Sequence, residues 1–183
     1  MNPVKTNFTK VFFSKDILAE KLDDCDLSKE NNSFICLVNP PRHGKSLLLD
    51  RLFFGRTDVR VVEMTYNAYT NFTGVEAKTY KVAMYYFWLR FIKAAVNSIY
   101  SIAQLEEIVG KFDPDQYYDF YWSKHIILDK FNIDPFSRDD GGDYPLLIAV
   151  DEFSKLTDAA IKWPKMDRNY FIRSLQNAQR KEF

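Results

Sequence analysis

Two short stretches carry the residue types that chemistry needs. The first is Gly44-Lys45-Ser46, which closes a turn between an apolar run, Ser33 to Val38, and an apolar helix start at Leu47. Glycine lets the backbone come close to an anion, and amides at the following helix N-terminus can point at it. The Lys45 ammonium would reach the outer phosphates of a bound polyphosphate as a point charge, and the Ser46 hydroxyl would hold Mg²⁺ beside them. The second stretch is Asp151-Glu152, at the end of the apolar run Pro145 to Val150. There Asp151 is placed to hold the same Mg²⁺, mostly through water, and Glu152 to polarise an attacking water as general base. Each signal is weak alone. Their conjunction in one chain is what points to phosphoryl chemistry.

The phosphate-facing residues on this reading are Asn39, Pro41, Arg42, His43, Gly44, Lys45, Ser46 and Leu47. Asn39 stands where the usual motif begins with glycine. Asparagine tolerates a left-handed backbone better than other non-glycine residues, so the turn remains buildable. Arg42 is a phosphate neighbour. His43 fills a variable loop place, and neither it nor His125 is assigned a role of its own. Lys45 and Glu152 are the candidate catalytic residues, and Ser46 and Asp151 the metal ligands.

The elements that must position these groups follow from pattern. Ser33 to Val38 reads as a buried strand, Lys45 to Phe54 as a helix stopped by Gly55, and Asp58 to Tyr66 as a second strand rich in β-branched residues. That order is a βαβ unit with parallel strands. Asn67 to Gly74 is turn-like and would lie at the carboxyl edge of the sheet, where α/β proteins bind ligands. Val75 to Ile99 is the longest helical segment. Its stripe of Val82, Tyr85, Tyr86, Leu89, Ile92 and Val96, with Ala83, Phe87 and Phe91 beside it, predicts a helix buried on two sides or meeting a partner. Further helices are predicted at Leu105 to Lys111, Tyr117 to Phe131 and Arg168 to Lys181. Asp134 to Tyr144 reads as a loop whose acidic residues form a solvated turn, since their order fits no calcium-loop spacing. Pro145 to Glu152 is a central parallel strand. Residues 1–32 form a lead-in with a helix near Lys15 to Leu22, and 33–183 form the main domain.

Composition bounds the class. The chain has 183 residues, 46% hydrophobic and 27% charged, which suits a globular domain. Sixteen Phe and eleven Tyr make it rich in aromatic residues. Its formal net charge is zero, which gives no support for a broad electrostatic grip on nucleic acid. The two cysteines, Cys25 and Cys36, sit in no metal-type spacing, and the compartment reads as reducing and intracellular. No secretory signal and no membrane-spanning run is present in the sequence; the longest apolar stretch, Ala83 to Leu89, is too short to span a bilayer.

At three places the chain resembles a known group. Asn39-Pro40-Pro41-Arg42-His43-Gly44-Lys45-Ser46-Leu47-Leu48-Leu49 is similar to the phosphate loop (Walker A) of Crinkler and retrotransposon-hot-spot proteins. Val62-Glu63-Met64-Thr65-Tyr66-Asn67 is similar to their second strand, and Val150-Asp151-Glu152-Phe153-Ser154-Lys155-Leu156 to their Mg²⁺-binding strand end (Walker B). AAA-like ATPases often fused to a nuclease domain share the Arg-x-Gly-Lys-Ser-Leu-Leu-Leu theme and are the second resemblance. Both imply a P-loop NTPase: an α/β three-layer sandwich with a mainly parallel sheet, a glutamate beside the Mg²⁺ aspartate, and ATP with Mg²⁺ as ligands. In that class a further strand with a polar sensor residue follows the Asp-Glu strand and inserts between it and the phosphate-loop strand. The stretch after Glu152 reads as loop and helix, so the domain is expected to stop short of that strand, and no arginine finger is assigned. The expected activity is ATP hydrolysis. The alternative is a nucleotide-binding, non-hydrolysing module that meets a protein partner, or itself, through the aromatic segments Tyr85 to Phe91 and Tyr117 to Trp122. Nucleic acid as a partner and a nuclear location follow only by family analogy.

Overall fold

The computed structural model describes residues 57–65, 79–144, 146–151 and 160–177. Within them lie two strands and four helices in mixed α/β order. Strand β1 spans Arg60–Thr65, helix α1 Tyr80–Ala95, α2 Ile102–Val109, α3 Phe120–Phe131, strand β2 Leu146–Asp151 and helix α4 Lys165–Asn177. These elements belong to one structural unit, Val59–Ala178. The expected helix near Lys15, the phosphate-loop strand and helix, the turn 67–74 and Glu152 lie outside the described residues.

β1 and β2 pair in parallel, with Arg60 beside Leu146, Val62 beside Ile148, Met64 beside Val150 and Thr65 beside Asp151. Both strands are where the β-branched and apolar runs predict them. The connection between them carries α1, α2 and α3, as a parallel crossover requires a long return path. Alternation then sorts the side chains. Val62 and Met64 are buried in the main core, and Ile148 and Val150 pack against that core from the same face. The opposite face carries Val61, Glu63, Leu147, Ala149 and the Asp151 position. Ala149 is buried there, and Val61 and Leu147 are partly buried. A strand pair with apolar burial on both faces matches the near-continuous hydrophobic run of β2.

The core is aromatic and centres on α1. Tyr85, Phe87, Trp88, Leu89, Phe91 and Ile92 are all at most 2% exposed, so the helix is buried on two sides. Rings meet edge to face, Tyr85 with Tyr118 at 5.0 Å and Trp88 with Phe91 at 5.2 Å, while Phe91 stacks on Phe136. Edge-to-face geometry sets the positive rim of one ring against the negative face of the next. Phe171 of α4 reaches the same core through Phe87 and Trp163. The Trp88 indole N–H is buried with no hydrogen-bond partner among the described residues, a local cost that the surrounding packing outweighs.

Helix ends differ from the periodicity-based bounds, and in each case the cap explains why. α1 starts after Thr79, whose side chain accepts the Val82 N–H, and it stops at Val96 because Asn97 turns left-handed at φ 49°. α2 starts three residues earlier than expected. Ser101 and Gln104 form a reciprocal capping box, and Gly110 at φ 108° ends the helix. α3 begins at Phe120, not at Tyr117, because Asp119 accepts the Trp122 N–H; left-handed Asn132 closes it. α4 begins just after Pro164, whose carbonyl accepts the Arg168 N–H, three residues before the expected start. Proline cannot continue a helix backward but is well suited to its threshold.

Candidate functional site

The part of the expected site within the described residues is the carboxyl end of β2. Asp151 is its last residue, partly buried, and Thr65 is its in-register neighbour at the end of β1. Parallel pairing puts both strand ends on one edge. The Arg60 guanidinium, at the start of β1, donates to the Ala95 carbonyl at the end of α1 (3.3 Å). A cation on the last carbonyls of a helix is also favoured by the helix dipole. This bond ties the end of α1 to the start of β1.

The other expected site residues, Asn39, Pro41, Arg42, His43, Gly44, Lys45, Ser46, Leu47 and Glu152, lie outside the described residues. Of the candidate metal ligands, Asp151 is therefore the one whose placement can be stated. A carboxylate at the end of a buried strand is a hard oxygen donor, the donor type that Mg²⁺ takes. Among the described residues no group of three or more His, Cys, Asp or Glu side chains is placed to hold a metal ion.

The groups without an assigned chemical role resolve into structural ones. His125 Nε2 lies 3.0 Å from Asp129 Oδ2, one helical turn on, and both are exposed. The acidic loop 134–144 is a solvated turn held by bonds within it and by Lys124 of α3. Arg138 pairs with Asp140 at 2.8 Å, Lys124 with Asp143 at 3.4 Å, and Ser137 and Asp143 form a short antiparallel bridge. Burial alone would raise the Asp134 pKa. Hydrogen bonds from the Ser137 hydroxyl and the Phe136 and Ser137 amides, together with Lys124, bring it below the ordinary carboxylate value.

The aromatic segments mostly serve the interior. Tyr85, Phe87, Trp88 and Phe91 are consumed by the core, and Tyr118 and partly buried Trp122 pack against Tyr85. Burial pushes the phenol pKa of Tyr85 and of Tyr118 upward. The Tyr85 hydroxyl donates to the Gly110 carbonyl (2.6 Å), and the Tyr86 hydroxyl donates to Glu106 (2.9 Å), tying α1 to α2 and its end. From the segments expected to meet a partner, Tyr117 and Tyr121 remain exposed, at 61% and 41%. Tyr117 lies before the start of α3, while Tyr121 lies in its first turn.

No protein-family model matches the chain, and neither a curated protein nor a solved structure matches it. Among the described residues no helix is long and apolar enough to cross a membrane.

Proposed function

We propose that the chain is an ATP-binding P-loop NTPase module that hydrolyses ATP with Mg²⁺, of the type found in Crinkler, retrotransposon-hot-spot and AAA-like proteins. On this reading the β1–β2 pair belongs to the mainly parallel sheet of a three-layer sandwich. The observation that carries the proposal is the parallel pairing of β2 with β1, which sets Asp151 at the carboxyl edge of a strand with apolar burial on both faces. In this class the inserted sensor strand separates the Asp-Glu strand from the phosphate-loop strand, so the Asp-Glu strand takes the second strand as its other neighbour. The β1–β2 pairing among the described residues is compatible with that order.

Catalysis would be positioning and charge balance. The Lys45 ammonium and the amides near Gly44 offset charge on the transferred phosphoryl group. Ser46 and Asp151 would hold Mg²⁺, which would supply positive charge to offset that of the phosphates. Glu152 orients the attacking water and accepts its proton.

The test is binding of a fluorescent ATP analogue together with phosphate release. Lys45→Ala is expected to abolish Mg·ATP binding, and Glu152→Gln to spare binding while cutting turnover. Unchanged affinity in the lysine variant would overturn the proposal. Tight binding with no release, in wild type and Glu152→Gln alike, would replace hydrolysis with a switch or folding-ligand role for the nucleotide.

A further inference from the structure

Two adjacent tyrosines, Tyr117 and Tyr118, lie in the irregular segment between α2 and α3, and the fold treats them oppositely. Tyr118 is 4% exposed, and its ring packs on Tyr85 and Trp122. Its hydroxyl accepts the Asp113 N–H (2.7 Å) and donates to the Asp113 carbonyl (3.2 Å). Tyr117 is 61% exposed, the most of any described tyrosine. Its hydroxyl meets the Ser174 hydroxyl of α4 at 3.3 Å, at the surface. Asp113 and Asp115 precede it, and both are exposed. The Asp115 amide donates to the Asp113 carboxylate (2.9 Å), which fixes the turn leading into Tyr117. A reachable phenol outside helix and strand, preceded by two carboxylates, suits a tyrosine kinase with a basic substrate groove, since charge pattern selects kinase substrates. The other exposed tyrosines each lack part of this. Tyr121 and Tyr170 lie within α3 and α4, where the backbone is committed to helical bonds, and Tyr170 also stacks on Tyr80. Tyr100 lies outside the helices, but the sequence holds no carboxylate from Ala94 to Leu105.

We infer that Tyr117 is a site of tyrosine phosphorylation, modified by a protein kinase that reads Asp113 and Asp115. In the reaction the Tyr117 Oη attacks the γ-phosphorus of ATP. The bond from that phosphorus to the β–γ bridging oxygen breaks, ADP leaves, and the phenolic proton passes to the catalytic aspartate of the kinase. The product carries about −1.5 to −2 charge on an exposed ring, so the phosphate stays in water and the core is spared. The same group on Tyr118 would have to displace packed rings and give up both bonds to Asp113. The site uses none of the candidate nucleotide-binding residues and stands whether or not the chain is an ATPase.

The experiment incubates the full chain with Mg·ATP and a purified tyrosine kinase domain that prefers acidic substrates, beside a kinase-free mixture. Tandem mass spectrometry maps the phosphate, and thermal melting checks the fold of each variant. A peptide of residues 111–119 presents the same two tyrosines without the fold. In the chain, Tyr117 is expected to be modified at least about 10-fold faster than Tyr118, which must first open locally, and the peptide should largely lose that preference. Asp113→Asn combined with Asp115→Asn keeps an oxygen for the turn and removes both charges. It should slow modification of Tyr117 several-fold with an unchanged melting temperature. Tyr117→Phe should remove the signal and melt as wild type does. No phosphate on Tyr117 of the chain would overturn the proposal, whether or not the peptide is modified. So would modification of Tyr118, Tyr100, Tyr121 or Tyr170 as fast as Tyr117, an unchanged rate in the double variant, or equal modification without kinase. Should the double variant not fold, Asp115→Asn alone takes its place under the same criteria.

Discussion

The aromatic core around α1 and the carboxyl edge of the β1–β2 pair are built on opposite principles. In the core many large side chains hold one another, and each ring touches several others. At the edge, Asp151 ends a strand and shares its register position with Thr65. Its carboxylate adds little apolar burial, and the proposed function depends on it heavily. Stability is thus concentrated where the sequence is apolar, and the proposed chemistry where an apolar strand runs out. This division is general for α/β proteins, whose rigid sheets present ligand groups at strand ends.

The contrast can be broken by substitution. The largest expected loss of stability is in the core. Trp88→Ala should cost about 3–5 kcal/mol, read from urea unfolding, because it removes a fully buried indole and leaves a cavity. Trp88→Phe should cost clearly less, since it also removes the unpartnered N–H. A Trp88→Ala protein as stable as wild type would mean that the core is not centred on α1.

Tyr85→Phe should cost about 1 kcal/mol through loss of the bond to the Gly110 carbonyl. It should also flatten the alkaline pH response. Burial raises the folded-state pKa of Tyr85 and Tyr118 above the ordinary phenol value of about 10. Their neutral forms therefore contribute stability that is complete below a pH of about 10 and is lost as pH climbs toward the folded-state values. The wild type should lose melting temperature above that pH, and Tyr85→Phe should lose less over the same range. Identical alkaline slopes would show that Tyr85 has no part in alkaline unfolding.

Ser101→Ala removes one side of the capping box and should cost about 1 kcal/mol. The smallest expected effect on stability is at the edge. Asp151→Asn should change unfolding free energy by less than about 1 kcal/mol, as a partly buried strand-end substitution, while abolishing Mg²⁺-dependent nucleotide binding. A large loss of stability in Asp151→Asn would erase the distinction between the two regions.

Several features are legible in the order of residues itself. The β-branched run Asp58 to Tyr66 and the apolar run Pro145 to Glu152 each carry their strand in plain view. The stripe from Val82 to Val96 marks a helix by periodicity. Helix bounds are less legible from periodicity, because it reports which face is buried and not where the backbone hydrogen bonds end. The signals for the true ends are nevertheless present: Ser101 with Gln104, Asp119, Pro164 and Gly110 are all local cap residues. Of the candidate site, Asp151 is readable as a strand-end acid. An acid in that place is common, so its proposed chemistry is legible only beside Gly44-Lys45-Ser46.

What the sequence by itself determined is local: where runs of apolar side chains must turn away from water, which backbone groups a neighbouring Ser, Asp or Gly can cap, and which residues carry charge. Tertiary structure alone decided the pairing of β1 with β2, and with it the shared register position of Thr65 and Asp151. It also decided which tyrosines face inward. The physical reason is that both outcomes depend on groups far apart in the chain. Strand partners are chosen by the burial of faces that distant helices must cover, and a tyrosine is sheltered only if another element supplies rings around it and an acceptor for its hydroxyl.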